Sequence, residues 1–345
     1  MKRFIIYPLI LTLCVSIFNS CSLVRDPLDS YSDVSEGENE SGQQIVFKDR
    51  ASVDNYLNSL YQQLRDRQEH WYLDLLLIAE SHADNAYAGT TGAEVVPFEN
   101  NSIEGSNSVV DRDWSRYLED VARANRLVIF VDSVADNSLS PALIKSYKAQ
   151  AKIFRALVLF DMVRIFGSIP VVTTVAPDIT GENVSEVYPQ YFPKQSTEEE
   201  AYRQIEKDLL EALVDAPDNN NVDKTKFSKS VAKALLAKVY AEKPIRDYAK
   251  VIQYADALAA DGFDLNPNYA ELYALTADNK DLAQRNTRES ILEAHFTPGS
   301  GNWASWMFGR DLSNYEVNFT WAKWVTPSRD LIQTYQNEGD MIRMN

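Results

Sequence analysis

Residues 149–173 read Ala-Gln-Ala-Lys-Ile-Phe-Arg-Ala-Leu-Val-Leu-Phe-Asp-Met-Val-Arg-Ile-Phe-Gly-Ser-Ile-Pro-Val-Val-Thr. Apolar residues recur within this stretch at the spacing of one helix face, as in Phe154, Val158 and Met162. Gly167 and Pro170 follow, and these residue types end a helix and turn the chain. The stretch therefore predicts a long buried helix with a defined end.

Three charged residues interrupt the apolar pattern of this helix: Arg155, Asp161 and Arg164. Regular elements carry packing, whereas recognition is more often carried by loops. We therefore expect these side chains to make helix-end and interhelical polar contacts rather than to bind a ligand.

Further helices are predicted on both sides of the stretch. Apolar residues recur at helical spacing in segments 53–64, 114–128, 202–212, 231–239 and 252–259. Ser196-Thr197-Glu198-Glu199 precedes the third of these and suits a capping box. The loops are long and polar, and short apolar pieces such as 291–296 suggest strands or irregular structure after about residue 285.

Residues 231–260 have the pattern of a helical hairpin. Leu236, Ala237 and Tyr240 match the Leu-Gly/Ala-x-x-Tyr part of a tetratricopeptide unit. The second helix fits the later positions of that unit only if the turn is two residues longer. A generic helical hairpin explains the pattern nearly as well. Several hairpins in series favour a helical-repeat scaffold.

The N-terminus has the layout of a secretory signal. Lys2 and Arg3 precede an apolar run at 4–18, and the small Ser20 and then Cys21 close it. A cysteine placed directly after the cut is typical of bacterial lipoproteins, in which the thiol is acylated. We therefore predict a lipoprotein signal peptide at 1–20 and lipidation of Cys21.

Two alternatives to this lipoprotein start stay open. Phe18 and Asn19 depart from the usual Leu and Ala or Ser of the lipoprotein box, so an ordinary cleaved signal peptide or an uncleaved anchor is also possible. The run at 4–18 is short for a spanning helix, which needs about 20 apolar residues. Residues 21–44 are polar and rich in Ser, Asp and Glu, which predicts a flexible tether.

Charge and cysteine content restrict the possible partners. The formal net charge is −16, and a surface of that sign repels nucleic acid and anionic lipid headgroups. The chain has two cysteines, of which Cys14 would leave with the signal and Cys21 would carry lipid. The mature chain would then fold by core burial, without an internal disulfide.

The stretch at 149–173 resembles the signature of the SusD/RagB family of Bacteroidetes outer-membrane lipoproteins. That pattern is an Ala-x-x-x-Arg-Ala helix running through Phe-Asp and Arg-x-Phe-Gly to x-x-Pro. It is carried here by Ala151, Arg155, Ala156, Phe160, Asp161, Arg164, Phe166, Gly167 and Pro170. Segments 114–128, 202–212, 230–240, 248–256 and 288–293 resemble further blocks of the family, in the family's order.

This resemblance implies a mainly α fold. We expect a tetratricopeptide-like helical-repeat scaffold over residues 45–280 and the start of a loop-rich, partly β second subdomain over 281–345. Family members usually run further, and the chain ends inside a block that resembles a family segment with Asp-x-x-Arg. The second subdomain is therefore expected to be incomplete here.

No catalytic constellation stands out in the sequence. The three histidines, His70, His82 and His295, lie outside any His-Glu-x-x-His motif. A Gly-x-Ser-x-Gly elbow and a phosphate-binding Gly-Lys-Ser/Thr are also absent from the sequence. The acidic segment 218–223 lacks EF-hand spacing. We therefore predict a protein that is not an enzyme and holds neither a cofactor nor a metal.

Aromatic residues give the main candidates for a ligand site. Four of the six tryptophans lie in one stretch, with a tyrosine among them: Trp303, Trp306, Tyr315, Trp321 and Trp324. Aromatic rings stack on the apolar faces of sugars, and the family's glycan binders present such an arc from loops. The alternative is that these rings fill the core of the second subdomain, and we expect about half to do so.

A second candidate segment is Ser-His-Ala-Asp-Asn-Ala-Tyr at 81–87, which resembles the family's Ser-Asp segment. We predict ligand contacts from Asp84, Asn85 and Tyr87, with local capping as an equally good explanation of the two polar residues.

The resemblance implies a cell-surface lipoprotein of the outer membrane. Such a protein would bind a nutrient, in the first place an oligosaccharide, and deliver it to a SusC-like TonB-dependent transporter. One alternative is a surface lipoprotein that acts through protein interaction without glycan affinity. Another is a secreted glycoside hydrolase, which would need a convergent carboxylate pair in a cleft.

Overall fold

The computed structural model shows a chain of helices in the predicted order. It describes residues 47–67, 69–88, 92–134, 136, 138–218, 223–278, 281–296 and 325–344. The long helices in these ranges are α1 (Arg50–Asp66), α2 (Ser108–Phe130), α3 (Pro141–Phe166), α4 (Glu198–Asp215), α5 (Lys229–Ala241), α6 (Tyr248–Ala260) and α7 (Arg329–Glu338). The prediction of a mainly α fold is confirmed.

Short elements connect the long helices. Single helical turns lie at Val96–Glu99, Val184–Val187 and Met341–Met344, and 3-10 turns at Val131–Ser133, Tyr188–Tyr191, Lys243–Ile245 and Tyr269–Tyr273. Two π-helical turns, Glu69–Asp74 and Leu77–Ser81, follow α1. Two short strands, β1 (Ala86–Tyr87) and β2 (Thr326–Pro327), pair antiparallel. Residues 291–296, expected to form a strand or irregular structure, are irregular.

Consecutive helices pack against each other along the chain. Contacts run from α2 to α3, from α3 to α4, from α4 to α5 and from α5 to α6. The rings of Tyr240 and Tyr254 stack between α5 and α6, with centroids 6.0 Å apart and planes 5° apart. Neighbour-to-neighbour packing of this kind is the arrangement of a helical-repeat scaffold, and this part of the fold prediction is also confirmed.

The ends of the helices follow their sequences. The Ser140 hydroxyl accepts a hydrogen bond from the Leu143 N–H at the start of α3. Gly167 ends α3 with a φ of 72°, a backbone conformation that glycine adopts without steric cost. The capping box of α4 uses Thr197 and Glu200, one residue later than the sequence pattern predicted. Thr197 is the residue in extended conformation before the first helical residue, and this fixes the register.

A buried guanidinium joins three of these helices. Arg155 on α3 donates to both carboxylate oxygens of Asp208 on α4, at 2.8 and 2.5 Å. Its third hydrogen bond reaches the Asn125 side-chain oxygen on α2 at 2.6 Å. The Asn125 amide donates in turn to the carbonyls of Val172 and Thr174, in the chain beyond α3. The expected interhelical role of Arg155 is confirmed.

Arg164, on the same helix, makes a weaker kind of contact. Its Nε lies 3.2 Å from a Glu242 oxygen, and its Nη1 lies 3.9 Å from Asp161. The Arg164 side chain is half exposed, so water screens these ion pairs.

Replacing Arg155 with methionine should strongly destabilise the fold. The Arg155→Met variant leaves the Asp208 carboxylate buried without its cation, a loss of about 3 kcal/mol or more. Urea denaturation of the variant and the parent protein measures the difference in the free energy of unfolding. Arg164→Met is the matched control, with an expected loss below about 1 kcal/mol. Equal losses for the two variants would show that Arg155 is not a central contact.

Candidate functional site

The candidate loop, residues 82–87, leads from the second π-helical turn into β1. The N–H of Ala83 donates to the Glu80 carbonyl, which closes the turn. On the far side, Ala86 pairs with Pro327 and Tyr87 with Thr326. The Asn85 carbonyl accepts a hydrogen bond from the Ser328 N–H at 2.8 Å. The loop is therefore held at both ends by main-chain contacts.

Most side chains of the candidate loop are exposed to solvent. Asp84 and Asn85 are exposed, and Tyr87 is 41% exposed. Ala86 between them is buried, because successive residues of a strand point to opposite faces. A carboxylate, an amide and a phenol ring are thus exposed within four consecutive residues. This set can hydrogen-bond hydroxyl groups and offer an aromatic face, which is the chemistry of sugar binding.

Ser328 joins the start of α7 to the candidate loop. Ser328 is buried, and its hydroxyl accepts from the Leu331 N–H at the start of α7. The same residue thereby caps α7 and hydrogen-bonds the candidate loop through its N–H.

The remaining predicted site residues lie outside the described residues. This applies to Cys21 and to the aromatic residues Trp303, Trp306, Tyr315, Trp321 and Trp324. The predicted domain boundaries at 20, 44 and 280 stay predictions.

A buried polar cluster lies at the contact between the π-helical turns and α2. It consists of His70, Asp74, Arg112, Asp113 and Tyr117. The His70 Nδ1 lies 2.7 Å from Asp113 Oδ1, and the His70 ring lies edge-on to Tyr117 with centroids 4.3 Å apart. Arg112 donates to both oxygens of Asp74 at 2.6 to 3.2 Å.

This cluster extends the buried face that the sequence predicted for α2. The predicted stripe ran through Trp114, Leu118, Val121, Asn125 and Val128, of which Val121 and Asn125 are buried and the others are partly buried. The face that is buried includes the acids Asp113 and Asp120. A prediction from sequence periodicity assigns charged residues to the solvent side of a helix. The prediction therefore missed two buried acids whose partners lie in residues 67–74.

Burial changes the protonation of this cluster. Burial, reinforced by the charge of Asp113 and opposed by Arg112, raises the pKa of Asp74 to about 8. Burial also raises the pKa of Asp120 to about 7, against the opposing charge of Arg67. Burial lowers the pKa of His70 to about 3, so its ring is neutral near pH 7 and donates from Nδ1 to Asp113.

A second exposed surface was not identified from the sequence. Residues 177–192 carry Tyr188 and Phe192, 54% and 64% exposed, with ring centroids 4.9 Å apart. The Tyr191 hydroxyl donates to the Pro177 carbonyl and holds this segment in shape. The only available signal was several apolar residues without helical spacing in a proline-rich loop.

Comparison with known proteins identifies the family. Residues 28–241 match the sequence model of a SusD-like family described as starch-binding and associating with the outer membrane. The chain belongs to the SusD-like family. The family resemblance seen at 149–173 is thereby confirmed, and the signature residue Arg155 is the buried guanidinium that joins α2, α3 and α4.

One relative of this SusD-like protein comes from Bacteroides ovatus. A SusD-like protein of Bacteroides ovatus is 24% identical over 280 residues. That match covers 74% of this chain and 47% of the relative, so the chain spans about half of the relative's length.

Solved structures share the fold of this SusD-like protein. A SusD-like protein from Bacteroides fragilis is 20% identical, with a TM-score of 0.62 over 83% of this chain and 52% of the other. A laminarin-binding SusD-like protein is 22% identical, with a TM-score of 0.59 over 85% of this chain and 65% of the other. Within the part of the chain that the structure describes, every helix is too short or too polar to cross a bilayer.

The stability of this SusD-like protein should fall as the pH rises from about 6.5 to 8.5. The folded chain keeps protons on Asp74 and Asp120 that the unfolded chain releases near pH 4. Their contribution to stability is complete below the unfolded pKa of about 4 and decreases until the pH reaches their folded pKa values of about 8 and about 7. His70, with its lowered pKa, acts in the opposite direction, but only below its unfolded pKa of about 6.5.

Thermal unfolding at a series of pH values measures this dependence. Asp120→Asn removes one of the two proton sites and should reduce the decline below about pH 7, the pH near which Asp120 loses its proton in the folded chain. A midpoint temperature that rises over the same range would contradict the assignment of buried protonated acids.

Proposed function

We propose that this SusD-like protein is a lipid-anchored protein of the outer-membrane surface that captures a neutral glycan. It would deliver that glycan to a SusC-like TonB-dependent transporter. The family description, starch-binding and associating with the outer membrane, supports the class of ligand and the location. The predicted acylation of Cys21 supplies the anchor.

The pairing of β1 with β2 carries the proposal. It holds Tyr87 of the candidate loop beside Thr326, and residue 326 follows the tryptophan-rich segment 303–324 in the chain. The ladder thereby pairs residues 86–87 with residues 326–327, which are far apart in the chain. A glycan site requires hydroxyl-binding side chains and aromatic rings on one surface.

The negative charge of the protein restricts the class of glycan that we propose as its ligand. A formal net charge of −16 and an exposed Asp84 in the candidate loop disfavour sulfated or uronic acid glycans. Neutral glucans carry no such penalty. Starch appears in the family description and laminarin in the name of a structural relative, and both are neutral glucans.

We propose capture rather than bond cleavage. The family description and the name of one structural relative refer to binding, and the candidate loop contributes a single acid, Asp84. Hydrolysis of a glycan by the pure protein would instead support the glycoside hydrolase alternative.

A second candidate function is protein interaction without glycan affinity. The exposed rings of Tyr188 and Phe192 favour it, because contiguous exposed apolar groups mark interaction surfaces.

Binding of laminarin oligosaccharides should depend on the aromatic candidates. In isothermal titration, Tyr87→Ala should weaken binding about fivefold, because one stacked ring is worth about 1 kcal/mol. Trp306→Ala and Trp324→Ala test the second segment in the same way. Tyr248→Ala is the matched control, since Tyr248 is 62% exposed on α6 and lies outside the candidate segments. Unchanged affinity in all three variants would remove these residues from the site.

Cys21→Ala should release the protein from the membrane. Fractionation of cells that express tagged protein should place the parent protein in the outer-membrane fraction and the variant in a soluble fraction.

Mass spectrometry of proteins that co-purify with the parent protein should recover a large TonB-dependent barrel. A parent protein without an acyl chain would argue for an ordinary cleaved signal peptide.

A further inference from the structure

A groove lined by basic residues lies between α4 and the turn that joins α5 to α6. Four cations and one acid line this basic groove: Arg203, Lys243, Arg246, Lys250 and Asp247. It is open to solvent and has a volume of about 430 Å³. The chain as a whole carries a formal charge of −16, but charges beyond about 8 Å are largely screened at physiological salt. The local cations therefore determine which ligands the groove attracts.

Two of the four cations are already paired with acids on α4. Arg203 Nη1 lies 3.0 Å from one oxygen of Glu206, and Lys250 Nζ lies 3.4 Å from the other. Lys250 also donates to the hydroxyl of the buried Tyr240 at 3.1 Å. A second acid, Glu199, lies 3.7 Å from Arg203. These contacts hold Arg203 and Lys250 in the groove and neutralise much of their charge.

The other two cations, Lys243 and Arg246, are exposed and keep their charge. Within the part of the chain that the structure describes, neither of them forms an ion pair. The acid next in the chain, Glu242, pairs instead with Arg164 at 3.2 Å. The Arg246 Nε donates to the Ala241 carbonyl at 3.2 Å, which leaves the two terminal nitrogens of its guanidinium for a ligand.

The turn that carries Lys243 and Arg246 is fixed by its surroundings. Ile245 between them is buried, and Pro244 restricts the backbone. The Asp247 N–H donates to the Tyr240 carbonyl at 2.9 Å, and the Asp247 carboxylate caps α6 by accepting from main-chain N–H groups. In sequence, this is the turn that must be two residues longer than in a tetratricopeptide unit. A fixed turn presents its cations at a low cost in conformational entropy.

We propose that the basic groove binds a phosphate monoester. Near neutral pH such a group carries a charge of about −1.5 to −2, which matches the two cations that lack an acidic partner. Its three terminal oxygens accept from donors in several directions, whereas a carboxylate offers two oxygens that one guanidinium fork can satisfy. The donors here come from α4, from the turn and from α6. The groove uses none of the residues of the candidate loop, so this inference goes beyond the proposed capture of a glycan and does not depend on it.

Titration of the full chain with inorganic phosphate tests the basic groove. At constant ionic strength, phosphate should shift the NMR signals of the main-chain amides at 243–250. The double variant Lys243→Gln/Arg246→Gln should bind phosphate at least about tenfold more weakly, because it removes both unpaired cations. Both side chains are exposed, so the variant should fold like the parent protein.

A matched control removes two positive charges elsewhere. Lys48→Gln/Lys145→Gln changes two exposed lysines that lie before α1 and on α3, outside the groove, and should keep the parent's affinity. Sodium acetate at the same ionic strength should shift the amides at 243–250 much less than phosphate. An absence of shifts with phosphate, or an equal loss of affinity in the control, would overturn the proposal. Equal shifts with acetate would overturn the choice of phosphate and favour an acidic peptide.

Vesicles distinguish a lipid headgroup from a soluble phosphate ester as the source of the phosphate. Phosphatidylcholine vesicles that contain phosphatidic acid present a phosphate monoester at a membrane surface. The Cys21→Ala background excludes attachment through the predicted lipid. Co-sedimentation that is lost in Lys243→Gln/Arg246→Gln supports the groove as a site for a lipid headgroup. Binding of inorganic phosphate without co-sedimentation supports a soluble phosphate ester. Co-sedimentation that is unchanged in the variant, without binding of inorganic phosphate, overturns the proposal.

Discussion

The hydrogen bonds of one buried guanidinium determine how the scaffold is assembled. Arg155 cannot leave water unless its charge is neutralised and its donors are satisfied. Asp208 supplies the charge and Asn125 the further acceptor, and each comes from a different helix. This requirement fixes α2, α3 and α4 relative to one another more strictly than apolar packing does, because hydrogen bonds are directional. The Asn125 amide extends the constraint to the chain beyond α3.

Much of the scaffold could be predicted because its signals are local. The apolar face of α3, with Phe154, Val158 and Met162 all fully buried, is visible in the sequence as a periodic pattern. The capping box of α4 was predicted one residue early, since both Ser196 and Thr197 are good caps and only the backbone conformation selects between them. The family signature added the order of the helices.

The candidate site could be predicted only in part because its contacts are not local. Asp84, Asn85 and Tyr87 were selected from the sequence, and all three are exposed to solvent. The pairing of β1 with β2 carries no sequence signal, since two-residue strands are too short to show alternation. The buried acids of α2 were missed for a related reason. A pattern of charges does not reveal that Arg112 and Asp113 face partners from a distant segment.

The pairing of β1 with β2 also determines at what stage of synthesis the candidate loop can reach its final structure. The paired residues are roughly 240 positions apart, so closing this ladder costs more chain entropy than a contact between neighbouring helices. The scaffold from α2 to α6 is built from contacts between consecutive elements and can fold as the chain emerges. The candidate loop acquires its strand partner only after residue 327 has been synthesised. A growing chain can therefore hold a folded scaffold while its candidate loop still lacks the strand that pairs with it.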